Sequence, residues 1–296
     1  MWTLNLNKKR IVACLIVSIL VGGLYYGIFI EPYDVMVKKV TIRDDLLYKA
    51  WHGLKILQLS DLHITNIGKR ERKVRHLVSR LDPDLICVTG DLAQWDSSNS
   101  KVIQFLNSLK AKYGVYVILG DSDMSTGSQR CFFCHKSGNI HGLRRKPVFL
   151  RNSLVQVQIK NGRHIEIIGI APDLNKEEFP VFWKGIEMSF DNYTPVLVLS
   201  HFSSLWNLVP EDEHLLWLSG DTHGGQVALP RFLWPLVYRG KDYEHLKGLF
   251  SSGEGKWLYV NQGIGTTRHF PVRIGVPPEI TLFSFAPKIK RGSSGT

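Results

Sequence analysis

Short runs of β-forming residues that stop abruptly on Asp, His or Gly recur along this chain, and they restrict its fold more than any other feature. Leu54–Leu59 stops at Ser60-Asp61, with His63 close behind, and Leu85–Thr89 stops at Gly90-Asp91. Runs of this kind read as buried strands that deliver side chains at their carboxyl edge. The charged segment between them is long enough for a crossover helix, so the two strands are predicted to be parallel neighbours. Ligands of such sheets bind outside the carboxyl ends of the strands. Asp61, His63 and Asp91 are therefore expected to meet at one point.

The grammar repeats. Tyr113–Leu119 stops at Gly120-Asp121-Ser122-Asp123, Pro195–Ser200 stops at His201, and His214–Ser219 stops at Gly220-Asp221-Thr222-His223. One Asp or Gly after a strand is an ordinary turn or cap. Carboxylates and imidazoles gathered at five strand ends are a metal constellation, because divalent cations require such ligands in a fixed array.

The order Asp61-Leu62-His63, Gly90-Asp91, Gly120-Asp121-Ser122-Asp123, His201, Gly220-Asp221-Thr222-His223 resembles the calcineurin-like metallophosphoesterases. The resemblance runs from about Val35 to Phe285. The late run Leu258–Phe285 (LYVNQGIGTTRHFPVRIGVPPEITLFSF) is similar to the YaeI-type branch of that family. The resemblance implies one cation held by Asp61, His63, Asp91 and His223, and a second held by Asp91, Asp121, His201 and Asp221, with Asp91 bridging. Two cations ~3.5–4 Å apart clamp a phosphoryl group and lower the pKa of a water, so no protein nucleophile is needed.

Three positions depart from the family pattern. Its Asn is Asp121 here, the first His of its Gly-His-x-His is Asp221, and the His after its Asn is Ser122. The second site would then offer three carboxylates and one imidazole, which favours Mn²⁺ or Mg²⁺ over Zn²⁺. A serine is no general acid near neutral pH. Either the leaving group needs none, or Arg268 or His269 substitutes.

Strand–helix alternation in the first half and a strand-rich second half predict an α/β fold: a four-layer αββα sandwich of two mixed sheets, residues 35–286. Ahead of it, Ile11–Ile30 contains no charged residue over twenty positions. That length spans the ~30 Å hydrocarbon core of a bilayer. The basic residues 1–10 precede this transmembrane anchor (11–30). A buried helix and a cleaved signal peptide are its rivals, and no A-x-A-like site follows. Lys8, Lys9 and Arg10 favour a cytoplasmic amino terminus, but Lys38, Lys39, Arg43 and Lys49 blunt the bias.

Within the domain, Val35–Ile42 is expected as an edge strand, and Gly68–Leu81 and Lys101–Leu109 as helices. Ser153–Ile159 and His164–Ile170 flank Asn161-Gly162, a hairpin signal that opens a second sheet. The basic face Lys69, Arg70, Arg72, Lys73 and Arg75 reads as solvated or as a contact for a phosphate-rich membrane. Cys131-Phe132-Phe133-Cys134-His135 fits an inserted loop, with haem attachment, a zinc clip and a local disulfide as other readings. Cys14 and Cys87 are expected to be unbridged. Residues 287–296 read as a disordered tail.

The net charge of +11 and pI of about 9.5 imply a polyanionic partner. The Ala228–Gly240 run (ALPRFLWPLVYRG), just past His223, is apolar and aromatic. With the anchor it suggests an amphiphilic phosphorylated substrate, with Trp234, Leu236 and Arg268 as its contacts. Members of the YaeI type include enzymes that split UDP-2,3-diacylglucosamine to lipid X (2,3-diacylglucosamine 1-phosphate) and UMP in lipid A biosynthesis. The resemblance implies that reaction, at the bacterial inner membrane, with a general phosphodiesterase as the alternative. A nuclease or a non-catalytic metal-binding membrane protein competes less well. The charge fits nucleic acid, but there is no separate DNA-binding module and the span argues against that partner.

Overall fold

The computed structural model describes residues 2–94, 99–124, 147–188, 194–237, 243–267 and 270–289. A long helix, α1 (Trp2–Phe29), leads through a 3-10 turn at Glu31–Tyr33 into β1 (Met36–Arg43) and a short α2 (Asp45–Trp51). Next come β2 (Ile56–Leu59), α3 (Lys69–Leu81), β3 (Leu85–Thr89), α4 (Asn99–Ser108), β4 (Val115–Ile118) and the single turn α5 (Asp121–Met124). Then β5 (Val148–Phe149), β6 (Ser153–Gln158), β7 (His164–Gly169), α6 (Phe179–Glu187), β8 (Val196–Leu199) and β9 (Leu215–Ser219) follow. The chain ends with α7 (Trp234–Val237), β10 (Gly248–Ser252), β11 (Lys256–Val260) and β12 (Glu279–Ala286).

The strands form two six-stranded sheets, ordered β1-β12-β2-β3-β4-β5 and β10-β11-β9-β8-β7-β6. Both are mixed: β2 to β5 run parallel, as do β7, β8, β9 and β11, while β12 is antiparallel to β2 and β6 to β7. β1 is an edge strand, as its position ahead of the first motif predicts.

Strand alternation sorts the apolar side chains into three cores. Leu85 and Cys87 of β3 meet Leu216 and Leu218 of β9 between the sheets. Ile86 and Val88 point the other way, to Val74 and Val78 of α3 and Phe105 of α4. Val198 and Trp217 pack outward with Phe179 and Trp183 of α6. Three cores in series make four layers, αββα, because each sheet buries both faces.

Helix α2 carries little apolar periodicity. Asp44 caps it by accepting from the N–H groups of Leu46 and Leu47, and it buries Leu47 and Trp51. The Asn161-Gly162 hairpin forms with a longer loop than the tight turn the dipeptide signals, with both residues at positive φ (64° and 70°).

α1 is long and apolar enough to cross a membrane, and its Ile11, Leu15, Ile19 and Leu20 are exposed. Cys14 and Cys87 are free thiols. Cys131, Cys134, Arg268, His269 and residues 290–296 lie outside the described residues. The Lys288 N–H donates to Asp45 at 2.8 Å.

Candidate metal centre

The ends of five strands converge. Asp61 and His63 follow β2, Asp91 follows β3, Asp121 follows β4, His201 follows β8, and Asp221 and His223 follow β9. Parallel pairing continues past the strands as single backbone bonds: Asp61 N–H to Gly90 O at 3.1 Å, His63 N–H to Asp91 O at 2.9 Å. Five of these residues turn the chain in the left-handed region: Asp61 (48°), His63 (41°), Asp91 (50°), Asp221 (68°) and His223 (50°). Each costs about 1–2 kcal/mol relative to a right-handed conformation. The surrounding strands hold that strain, and each turn aims a polar side chain into the junction.

Asp61, His63, Asp91 and His223 form one buried cluster, and Asp91, exposed Asp121 and His201 form a second. Asp91 belongs to both. Its Oδ2 is 3.2 Å from His63 Nε2 and its Oδ1 is 3.5 Å from His201 Nε2. Asp121 Oδ1 lies 3.3 Å and Asp221 Oδ1 3.9 Å from the same His201 nitrogen. His63 and His223 stack with their Nε2 atoms 3.1 Å apart. Thus all seven side chains singled out in the sequence are brought together, with Asp121 and Asp221 the more exposed.

The donor set fits divalent cations. Buried Asp61 Oδ2 and His201 Nε2 make no hydrogen bond of normal geometry, and leaving such atoms unpaired is costly. The Nδ1 of His201 lies 2.9 Å from Thr89 O. A proton donated there leaves Nε2 with its lone pair aimed at the carboxylates, the arrangement that orients a metal-ligating histidine.

The electrostatics agree. Burial alone would lower the His201 pKa, but Asp91, Asp121, Asp61 and Asp221 outweigh it and hold the group well above its ordinary value. His63 is raised in the same way, burial being overcome by Asp91 and Asp61. Burial pushes Asp61 up to about 6, with Asp91 adding to it and His201 opposing. Asp91 is held below the carboxylate range, because His201 and His63 outweigh its own burial. So much negative charge in a dry site draws positive charge, whether protons or cations.

Backbone crowding explains the glycines. A Cβ at Gly120 would lie 2.1 Å from Asp91 Oδ1, and one at Gly220 2.4 Å from Asp61 Oδ2.

Sequence reasoning missed the residues behind this cluster. Ser122 turns both of its donors onto Asp91. The Asp123 carboxylate accepts from the N–H groups of Gly120 (2.9 Å) and Leu92 (3.0 Å), lacing the β3 and β4 turns together. Burial and Asp91 push its pKa up to about 6. Gln58 bridges the two sheets beneath the site, donating to Ser219 O at 2.9 Å and Thr89 Oγ1 at 3.0 Å. Arg273 is fully buried and donates to Gly265 O (3.0 Å), Val276 O (2.9 Å) and Gln262 O (2.9 Å). A guanidinium nitrogen lies 3.4 Å from His223 Nδ1. Burial lowers the Arg273 pKa to about 9. Ser122 and Asp123, inside the Gly120–Asp123 motif, carried a local signal, but not these partners.

Of the expected substrate contacts, Leu236 is exposed. Trp234 is half-buried, its indole N–H bonded to Leu229 O at 3.0 Å and its ring under Arg231.

Comparison with known proteins agrees with this geometry. Residues 54–225 match the model of the calcineurin-like phosphoesterase family. YkuE, an uncharacterised metallophosphoesterase of Bacillus subtilis, is 27% identical over 89% of this chain and 90% of its own length. The UDP-2,3-diacylglucosamine pyrophosphatase LpxG of Chlamydia muridarum is 26% identical over 86% of this chain and 90% of its own. A zebrafish (Danio rerio) transmembrane protein with a metallophosphoesterase domain is 25% identical over 93% of this chain and 62% of its own. With its family match across more than half the chain, its two mixed sheets and its buried Asp/His cluster, the chain belongs to the calcineurin-like phosphoesterases and is a metal-dependent phosphoester hydrolase.

Proposed function

We propose that this enzyme is anchored in the bacterial inner membrane by α1 and cleaves the pyrophosphate of UDP-2,3-diacylglucosamine, adding water to give 2,3-diacylglucosamine 1-phosphate and UMP. The observation that carries the reading is Ser122. It stands where the family has a histidine and is committed to Asp91. A leaving group that needs no proton suits such a site, and a nucleoside monophosphate is one. The likeness to LpxG supports the same substrate.

In this reading Asp61, His63, Asp91 and His223 would hold one cation, and Asp91, Asp121, His201 and Asp221 would hold the other. Two cations bound there would supply positive charge to the phosphoryl oxygens and lower the pKa of a water. The chain's own part is orientation. Thr89 fixes the His201 ring, Ser122 fixes the Asp91 carboxylate, and Arg273 supports the loop beside His223. The carboxylate-rich second set favours Mn²⁺ or Mg²⁺ over Zn²⁺. Leu236 and Trp234 contact the acyl chains, and Arg268 a phosphate.

A general phosphodiesterase is the second reading, favoured by the broader likeness to YkuE. Turnover of UDP-2,3-diacylglucosamine against bis-p-nitrophenyl phosphate, each with Mn²⁺, Mg²⁺ and Zn²⁺, separates the two. The lipid reading expects far higher kcat/KM on the diacylated substrate; equal or lower values assign the broader activity. Asp91→Ala should abolish either reaction in a folded protein, and more than about a tenth of wild-type rate would refute the two-cation reading.

A further inference from the structure

α1 is joined to the domain at its foot. The Arg273 N–H donates to Gly27 O at 2.9 Å, and a Cβ at Gly27 would sit 2.7 Å from Ile274. One turn on, the buried Glu31 carboxylate accepts from Gly275 N–H (2.9 Å) and Val276 N–H (2.7 Å). Lys73 of α3 pairs with Asp34 at 3.0 Å. A helix held by these contacts does not swing freely relative to the domain.

The joint also sets a height. Tyr25, Tyr26, Phe29 and Tyr33 are exposed around Gly27. Aromatic residues at the end of a span mark the membrane–water interface. The 273–276 loop packed on Gly27 therefore lies at interface level, and so does what pairs with it. Ala228 N–H donates to Ile274 O at 2.7 Å and Ile274 N–H to Gln226 O at 2.9 Å. Four residues beyond Ala228, within ~14 Å by chain reach, Phe232 is 77% exposed, and Val237 follows at 56%. Ile274, paired with Gln226 and Ala228, and Phe270, four residues before it, add exposed apolar surface. On the α3 side of the foot, Lys69 and Arg72 are exposed.

We propose that this rim is a second membrane contact: Phe232, Val237, Phe270 and Ile274 enter the interfacial layer of the leaflet from which α1 emerges, while Lys69 and Arg72 meet anionic headgroups. The occupant is the bilayer itself, since the rim is continuous with the helix that crosses it. Buried apolar surface flanked by cations is the usual basis of interfacial binding. The domain then lies against the membrane, with Arg273 packed both on the helix foot and behind His223. An amphiphile could reach the metal centre without leaving the leaflet.

This inference rests on α1 spanning the membrane, and the test separates the two. The full chain, with Cys14, Cys131 and Cys134 changed to serine, is reconstituted in nanodiscs of phosphatidylcholine and phosphatidylglycerol. Nitroxide labels are placed through Leu20→Cys, Phe232→Cys, Val237→Cys and Lys110→Cys, the last at the amino end of β4 away from the site. Collision with oxygen and with a water-soluble nickel chelate reports depth. The expected result is lipid exposure at 20, interfacial depth at 232 and 237, and water at 110. Aqueous labels at 232 and 237 with 20 in lipid overturn the docking and leave the span intact. An aqueous label at 20 removes both. Lipid-like signals at 232 and 237 that appear only with diacylated substrate assign the rim to the acyl chains and overturn the bilayer contact.

Discussion

Ser122 grips Asp91 with two donors: its N–H reaches Oδ1 at 3.1 Å and its hydroxyl reaches Oδ2 at 2.9 Å. The carboxylate shared by both clusters is thus fixed by Ser122, one of the three positions read in the sequence as departures from the family pattern.

That grip is testable. Removing a partner that orients a metal ligand typically costs 10–100-fold in metal affinity or activity. Ser122→Ala keeps the backbone donor and loses the hydroxyl. The expected result is a metal requirement raised roughly tenfold, with kcat at saturating metal close to wild type. A metal titration of activity checks it, and an unchanged midpoint with lowered kcat would place Ser122 in the chemistry instead.

Asp221 sits at the less buried edge of the second cluster, 3.9 Å from His201. A carboxylate there in place of imidazole hardens the ligand set. Mn²⁺ or Mg²⁺ is expected to support more activity than Zn²⁺, and Asp221→His to move the preference toward Zn²⁺. Best activity on Zn²⁺ in the wild type, with no shift in the variant, would end the argument from ligand hardness.

On the proposed lipid substrate, Trp234 and Leu236 would contact the acyl chains. Each buried CH₂ contributes up to ~0.8 kcal/mol, so four shift affinity by roughly two orders of magnitude. Trp234→Ser and Leu236→Ser are expected to raise KM for the diacylated UDP-sugar and to leave hydrolysis of a small diester nearly unchanged. Equal losses on both substrates would show a folding role.

Away from the site, burial pushes half-buried Glu213 up to about 7, with Glu187 and Asp212 adding repulsion. A carboxyl raised in the fold is stabilising while protonated. The contribution is full below about pH 4.5 and is lost as pH rises through 7. Glu213→Gln should therefore stabilise the protein at pH 8 by about 1 kcal/mol, allowing for solvent screening, and leave it unchanged at pH 5. Thermal melts at the two pH values check the difference, and an equal shift at both would assign the effect to packing.

The motif-bearing strands and the seven-residue cluster were legible because their signals are local. Each β-forming run and the Asp or His that ends it lie within about ten residues, and parallel order forces such ends to one edge of a sheet. The roles of Ser122 and Arg273 were not legible. Ser122 reads as a missing acid until Asp91, 31 residues away, is seen to take both of its donors. Arg273 sits in an irregular stretch where no pattern marks it, yet it is fully buried between Gly27 and His223. The Ala228–Gly240 run shows its apolar character in sequence, but the exposure of Phe232 and Val237, and the pairing of Ala228 with Ile274 near the foot of α1, are seen only in the fold. These relationships join residues tens to hundreds of positions apart. Chain closure over such distances leaves no periodicity or spacing, so only the packed fold brings them together.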